Sequence, residues 1–216
     1  MMAKPAVRGE PHELSGPAGL LEALVEGPVA SPRAVGVVCH PHPLHEGSMH
    51  NKVVHSLARS FVRGDARVVR FNFRGVGASE GRFDDARGET EDALAVIDWV
   101  RGEYPDRPLW LAGFSFGAQV ALQAAPRARP DALITVAPPV ARFGENPPAE
   151  PVCPWLLIQG ESDEVVDPAS VHAWARKHQR PPQVARFADT GHFFHRRLTD
   201  LQARVTVFLE SLDEAA

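Results

Sequence analysis

The sequence predicts an α/β fold, a mostly parallel central sheet with helices on both faces. Short apolar runs of almost unbroken character recur along the chain, which is how strands covered on both faces read. Segments with helically spaced apolar residues lie between them. The two kinds alternate, and strands joined through crossover helices pair in parallel. A single domain over residues 1–216 is expected: the length suits one core, no internal repeat divides the chain, and no part holds a complete set of elements of its own.

The elements follow in order. HELSGPAGLLEALVE places a Gly-Pro-Ala-Gly turn between two extended pieces, so an additional strand pair is expected at the front. AVGVVC (34–39) is the first buried strand, and residues 50–63 follow as a helix that turns Val53, Val54, Leu57, Ala58 and Phe61 to one side. RVVRFNF (67–73) is the next strand, then a helix over 89–101 with Ala93, Val96, Ile97 and Val100 inward. LWLAG (109–113), a helix over 116–125 and ALITVA (132–137) continue the alternation. The proline-rich stretch 142–154 reads as a surface loop leading to the strand WLLIQ (155–159). Helices over 168–178 and 197–212, with an extended piece at 184–188 between them, complete the chain. Only residues 138–154 separate ALITVA from WLLIQ, too few for a sizeable cap domain.

Composition narrows the function. Hydrophobic residues make up 44% and charged residues 23%, the balance of an ordinary globular protein. A net charge of -4 provides no basic surplus for a phosphate backbone, so nucleic acid is not an expected partner. No run reaches the length of a membrane span, and the charged, proline-containing N-terminus does not read as a signal peptide. Cys39 and Cys153 show no metal-type or redox-type spacing and are expected to be buried, reduced thiols. The expectation is a cytoplasmic protein without a membrane partner.

Chemistry concentrates around Gly113-Phe114-Ser115-Phe116-Gly117. A strand precedes this Gly-x-Ser-x-Gly and a helix follows, the context of a nucleophile elbow whose tight turn leaves no room for bulk at the glycines. The Phe116 backbone N–H then opens a helix, aimed where negative charge would develop. A reactive serine needs a base and an orienting acid. Two later strand ends offer them, in the chain order the elbow requires: the carboxylate-rich turn Gly160-Glu161-Ser162-Asp163-Glu164, then Asp189-Thr190-Gly191-His192.

Taken together these motifs resemble those of the serine α/β-hydrolase superfamily, from about Leu20 to the C-terminal helix. CHPHPL (39–44), GSMHNKVV (47–54) and FNFRGVGAS (71–79) are similar to segments of its small, lidless, cytoplasmic, esterase-like members. The resemblance implies Ser115 as nucleophile, His192 as general base and Asp163 as its orienter. It also implies an oxyanion hole shared by the Phe116 N–H and an N–H of the loop after Cys39. Family members commonly carry His-Gly there; here Pro41 stands in place of the Gly and cannot donate, so His42 is the expected second donor, with Leu44 as the alternative.

Other candidates have structural readings. Asp167 before Pro168 reads as a helix cap, Glu161 and Glu164 flank the favoured acid, and His195 lies where the last helix begins. His12, His55, His172 and His178 read as solvated side chains. His40, His42, His45 and His50 invite a metal, but Pro41 and Pro43 splay the neighbouring rings and no acid or cysteine is in step, so no metal and no cofactor is expected. The Arg74-to-Ser79 loop reads as a tight turn beneath the site, with Arg74 free to face a substrate carboxylate, and Asp84-Asp85 as a solvated pair. Phe114, Phe116, Phe143, Phe193 and Phe194 are candidates for an apolar acyl pocket. The expected function is hydrolysis of an ester or similar acyl bond in a small-molecule substrate. A thioesterase or small peptidase would use the same residues, and an interaction protein on the same scaffold is the reading of another class.

Overall fold

A computed structural model describes residues 9–144 and 147–212. The expected front pair is a hairpin of β1 (Glu10–Gly16) and β2 (Gly19–Glu26). There follow β3 (Ala34–Cys39), α1 (Lys52–Arg63), β4 (Ala66–Phe71), α2 (Arg87–Glu103), β5 (Leu109–Phe114) and α3 (Phe116–Ala128). The second half comprises β6 (Ala132–Val136), β7 (Trp155–Gly160), α4 (Pro168–Ala175), β8 (Gln183–Phe187) and α5 (Leu198–Ser211). The strands form one sheet in the order β1-β2-β4-β3-β5-β6-β7-β8. The pairs β1/β2 and β2/β4 are antiparallel and the rest are parallel.

The uninterrupted apolar strands have a direct cause. In β3, Val35, Val37 and Cys39 enter one core while Ala34 and Val38 enter the other, so strict alternation sends apolar residues to both faces. Val96 and Ile97 of α2, Val120 of α3 and Val171 of α4 close the first core. Leu57 and Phe61 of α1 and Val205 and Phe208 of α5 close the second. Burying each such side chain contributes about 1.5–3 kcal/mol, which is what fastens helices to both faces. Because β3 to β8 run parallel, the segments after β3, β5, β7 and β8 gather at one edge of the sheet.

Several boundaries differ from the sequence reading. Strand β4 stops at Phe71 because the Phe73 N–H leaves the ladder and donates to His40 Nε2 (3.0 Å). Strand β6 stops before Ala137, whose φ of 48° turns the chain away. Helix α1 begins at Lys52, since the Asn51 side chain accepts the Val53 N–H and caps it. Helix α3 runs through Pro126 to Ala128, and α4 stops at Ala175, with the His178 ring against Trp155 and Trp174 beyond its end. The described residues of 142–154 form no sheet strand; Glu145 and Asn146 lie outside the described residues. No described helix is long and apolar enough to cross a membrane.

Some histidines and thiols also depart from expectation. His172 is buried, its Nε2 2.7 Å from Glu161 Oε1, because the carboxylate after β7 reaches the inner face of α4. His12 rests against Trp99 and His178 is half-buried, whereas His55 is exposed. Cys39 is fully buried, but Cys153 is only partly covered, in the stretch that leads into β7.

Candidate active site

Ser115 sits between β5 and α3 at φ 54°, ψ −120°, a conformation that strains any residue with a Cβ. Its surroundings hold it there: the Ser115 N–H donates to Val136 O (2.8 Å) and its carbonyl accepts the Ala118 N–H (2.8 Å). The flanking glycines are a matter of space. A Cβ on Gly113 would come within 2.1 Å of Gly117 O, and one on Gly117 within 2.3 Å of Cys39 O.

The structure brings together the three residues that the family resemblance implies. Ser115 Oγ lies 3.1 Å from His192 Nε2, and His192 Nδ1 lies 2.8 Å from Asp163 Oδ2. Asp163 is buried, which works to raise its pKa. The bond from His192 and the N–H groups of Val166 and Val165 outweigh that and hold the carboxyl below its ordinary value. An ionised Asp163 keeps the proton of the neutral imidazole on Nδ1, leaving Nε2 to accept from the Ser115 hydroxyl. The imidazole packs beside Phe114 and Phe193, at centroid distances of 4.9 Å and 5.1 Å, and the two phenyl rings touch each other at 6.2 Å.

The rival carboxylates are occupied elsewhere. Glu161 turns to His172, Asp167 accepts the Ala169 and Ser170 N–H groups at the start of α4, and Glu164 Oε2 accepts the His192 backbone N–H (3.2 Å). His195 is exposed.

Across from the serine lies the loop after β3. His40 is buried and fully engaged: Nδ1–H donates to Pro41 O (2.6 Å) and Nε2 accepts the Phe73 N–H. Burial pushes its pKa down to about 4. The Leu44 N–H is spent on His42 Nδ1 (3.2 Å), whereas among the described residues the His42 and Phe116 N–H groups meet no protein acceptor. The His42 ring lies 4.9 Å from that of Phe116. His45 and His50 are exposed, and no three potential metal ligands converge among the described residues.

A cavity of about 490 Å³ opens over Ser115. Of the five phenylalanines considered for it, Phe116 and Phe193 are on its wall. Phe114 and Phe194 belong to the core shared with α1 and α5, and Phe143 packs on Trp174. Arg74 is not free for a ligand either. Its guanidinium grips both oxygens of Asp92 (3.0 and 2.7 Å), and its backbone N–H adds a third bond, tying the turn to α2. Sequence reasoning missed Arg142, which lines the cavity and pairs with Asp85; the proline-rich stretch that follows it gave no sign of this. Asp85 is accordingly an ion-pair partner rather than a merely solvated carboxylate.

Residues 30–151, more than half of the chain, match the family model described as serine aminopeptidase S33. A solved structure of a lidless α/β serine hydrolase from Xanthomonas campestris is 44% identical, with a TM-score of 0.89 and 94% of each chain covered. An uncharacterised protein of Rickettsia prowazekii is 37% identical over 158 residues, 70% of this chain and 66% of its own length. A lysophosphatidylserine lipase of Macaca fascicularis is 33% identical over 118 residues. That match takes in 52% of this chain and 29% of the lipase, so the chain spans just under two thirds of the first of these two proteins and under a third of the second.

Proposed function

We infer a chemistry from one premise: this chain belongs to the α/β-hydrolase superfamily and is a hydrolase. It cleaves a carboxylic ester or similar acyl bond of a small-molecule substrate through a Ser115 acyl-enzyme. The observation that carries the reading is the continuous path Ser115 Oγ, His192 Nε2, His192 Nδ1, Asp163 Oδ2, with steps of 3.1 and 2.8 Å.

Ser115 Oγ attacks the carbonyl carbon as its proton passes to His192 Nε2, and Asp163 stabilises the imidazolium that forms. The tetrahedral oxyanion is received by the Phe116 and His42 N–H groups; one such donor typically contributes about a hundred- to a thousandfold in turnover. As the intermediate collapses, His192 returns the proton to the leaving oxygen. It then draws a proton from water, whose oxygen attacks the acyl carbon and frees the acid and Ser115. The largely apolar wall, with Pro139, Val140, Val165 and Phe193, suits an acyl group.

The serine aminopeptidase description of the matching family favours a second reading, cleavage of a peptide bond by the same residues. That activity needs a carboxylate for the substrate amine. Of the two on the cavity wall, Asp167 is committed to capping α4, leaving Glu46. Two unpaired thiols accord with action in a reducing cytoplasm.

Intact mass after exposure to a fluorophosphonate tests the reading. A single adduct on the wild type and none on Ser115→Ala is expected, followed by hydrolysis of esters graded by acyl length. No adduct, under conditions that fully label a known serine hydrolase, overturns it.

A further inference from the structure

Arg142 is the one arginine or lysine on the cavity wall among the described residues. It ends the short turn Val140–Arg142 that follows β6, and its guanidinium carbon stands 6.0 Å from the centre of the Phe116 ring, beside the nucleophile. One terminal nitrogen donates to Asp85 Oδ1 at 2.6 Å. A guanidinium has five N–H donors in a planar fork, and the others of Arg142 meet no acceptor among the described residues.

The support behind this contact is costly. Asp85 and Ala86 both have positive φ, 47° and 70°, and neither is glycine. Two consecutive residues in that region cost about 1–3 kcal/mol each. The ion pair they help to make is exposed on both sides, 41% for Arg142 and 68% for Asp85. Pairs so exposed contribute about 0–1 kcal/mol. The ion pair therefore contributes little as a stabilising device, since the turn that carries it is held by its own bonds into α2. As a device for aiming a cation it makes sense, since Asp85 takes one edge of the fork from outside the cavity and leaves the rest for a ligand. Of the two carboxylates on the wall, Asp167 is turned into the first turn of α4, and Glu46 forms no ion pair with Arg142.

We propose that Arg142, aimed by Asp85, binds an anionic group, carboxylate or phosphate, on the substrate whose acyl bond Ser115 cleaves. The proposal rests on the Ser115 acyl-transfer reading and adds the substrate class to it. Arg142 is a specificity residue, and Asp85 is the residue that positions it.

Two ester pairs test it, each matching an anionic member with a neutral one. 4-Nitrophenyl hydrogen succinate against 4-nitrophenyl pentanoate places a carboxylate on the acyl side. The butyryl ester of 3-hydroxyphenyl phosphate against phenyl butyrate places a phosphate on the alcohol side. The quantity read is the anionic-to-neutral ratio of kcat/KM. In at least one pair Arg142→Gln lowers that ratio about tenfold, mainly through KM, as expected for loss of a charge-assisted contact. Arg142→Lys restores part of it, and Asp85→Asn, which frees the guanidinium from the partner that aims it, lowers it as well. Ratios equal within about twofold for the wild type, Arg142→Gln and Arg142→Lys in both pairs overturn the proposal. If the wild type still takes the fluorophosphonate on Ser115, the acyl-transfer reading survives that result. If it neither labels nor hydrolyses any of the four esters, the acyl-transfer reading falls and takes this one with it.

Discussion

Gln159 Nε2 donates to Asp163 Oδ2 at 3.1 Å, the same oxygen that faces His192 Nδ1 at 2.8 Å. With the Val165 and Val166 N–H groups on Oδ1, four donors converge on one buried carboxylate. Asp163→Asn preserves the shape but lets an amide N–H face the imidazole, favouring the wrong tautomer. It should lower kcat on a good ester by about four orders of magnitude. Gln159→Leu removes one of the four donors and should lower kcat by about tenfold. Steady-state kinetics on the two variants checks the ranking, and a larger loss in Gln159→Leu would contradict it.

His40 ties protein stability to pH. The folded protein lowers its pKa from 6.5 to about 4 through burial. Between those values the unfolded chain binds a proton that the folded chain refuses, so stability is full above pH 6.5 and is lost as pH falls toward 4. The loss attributable to this residue is about 3 kcal/mol. Urea unfolding at pH 7 and pH 4.5 should show a steeper decline in the wild type than in His40→Gln, whose side-chain oxygen can still accept the Phe73 N–H.

Gly117→Ala would push a methyl into the Cys39 and His40 carbonyls, at 2.3 and 2.5 Å. The neighbours are backbone and cannot swing aside, so a destabilisation of about 3 kcal/mol or more is expected. Fluorophosphonate labelling should fall as well, because the loop after β3 moves. Thermal melting and labelling on one sample measure both; a variant with unchanged melting and labelling would mean the turn is looser than its contacts imply.

Thiol reactivity should separate the two cysteines. Burial raises the pKa of both, that of Cys153 to about 11 and that of Cys39 further. Iodoacetamide at neutral pH should modify Cys153 slowly in the native protein and Cys39 only after unfolding, as read by peptide mass.

What was legible in the sequence was what is local. The Gly113 and Gly117 spacing, the strand before and the helix after Ser115 lie within a few residues of one another, and the parallel alternation from β3 to β8 sends the ends of those strands to one edge. Chain order therefore points to the turns after β7 and β8, and the family resemblance picks Asp163 and His192 within them. What was not legible depends on side-chain direction and on distant partners. Phe114 and Phe116 flank the same serine, yet the first belongs to a strand and faces the α1 and α5 side, while the second opens α3 and faces the cavity. His172 looked solvated because the helix phase that turns it to Glu161 is not fixed by so short an amphipathic segment. Arg142 finds Asp85 across 57 residues, a pairing no local pattern encodes.

Ser115 and His192 are 77 residues apart in the chain, the first after a central strand and the second after the edge strand β8. A nascent or partly refolded molecule can hold the strained elbow without holding its base, because the imidazole arrives only when β8 has docked on β7. Such an intermediate is chemically silent, so the hydroxyl is no hazard to a crowded, half-made chain. Recovery of nucleophilicity on refolding then reports the docking of β8 on β7, which helix content alone does not report.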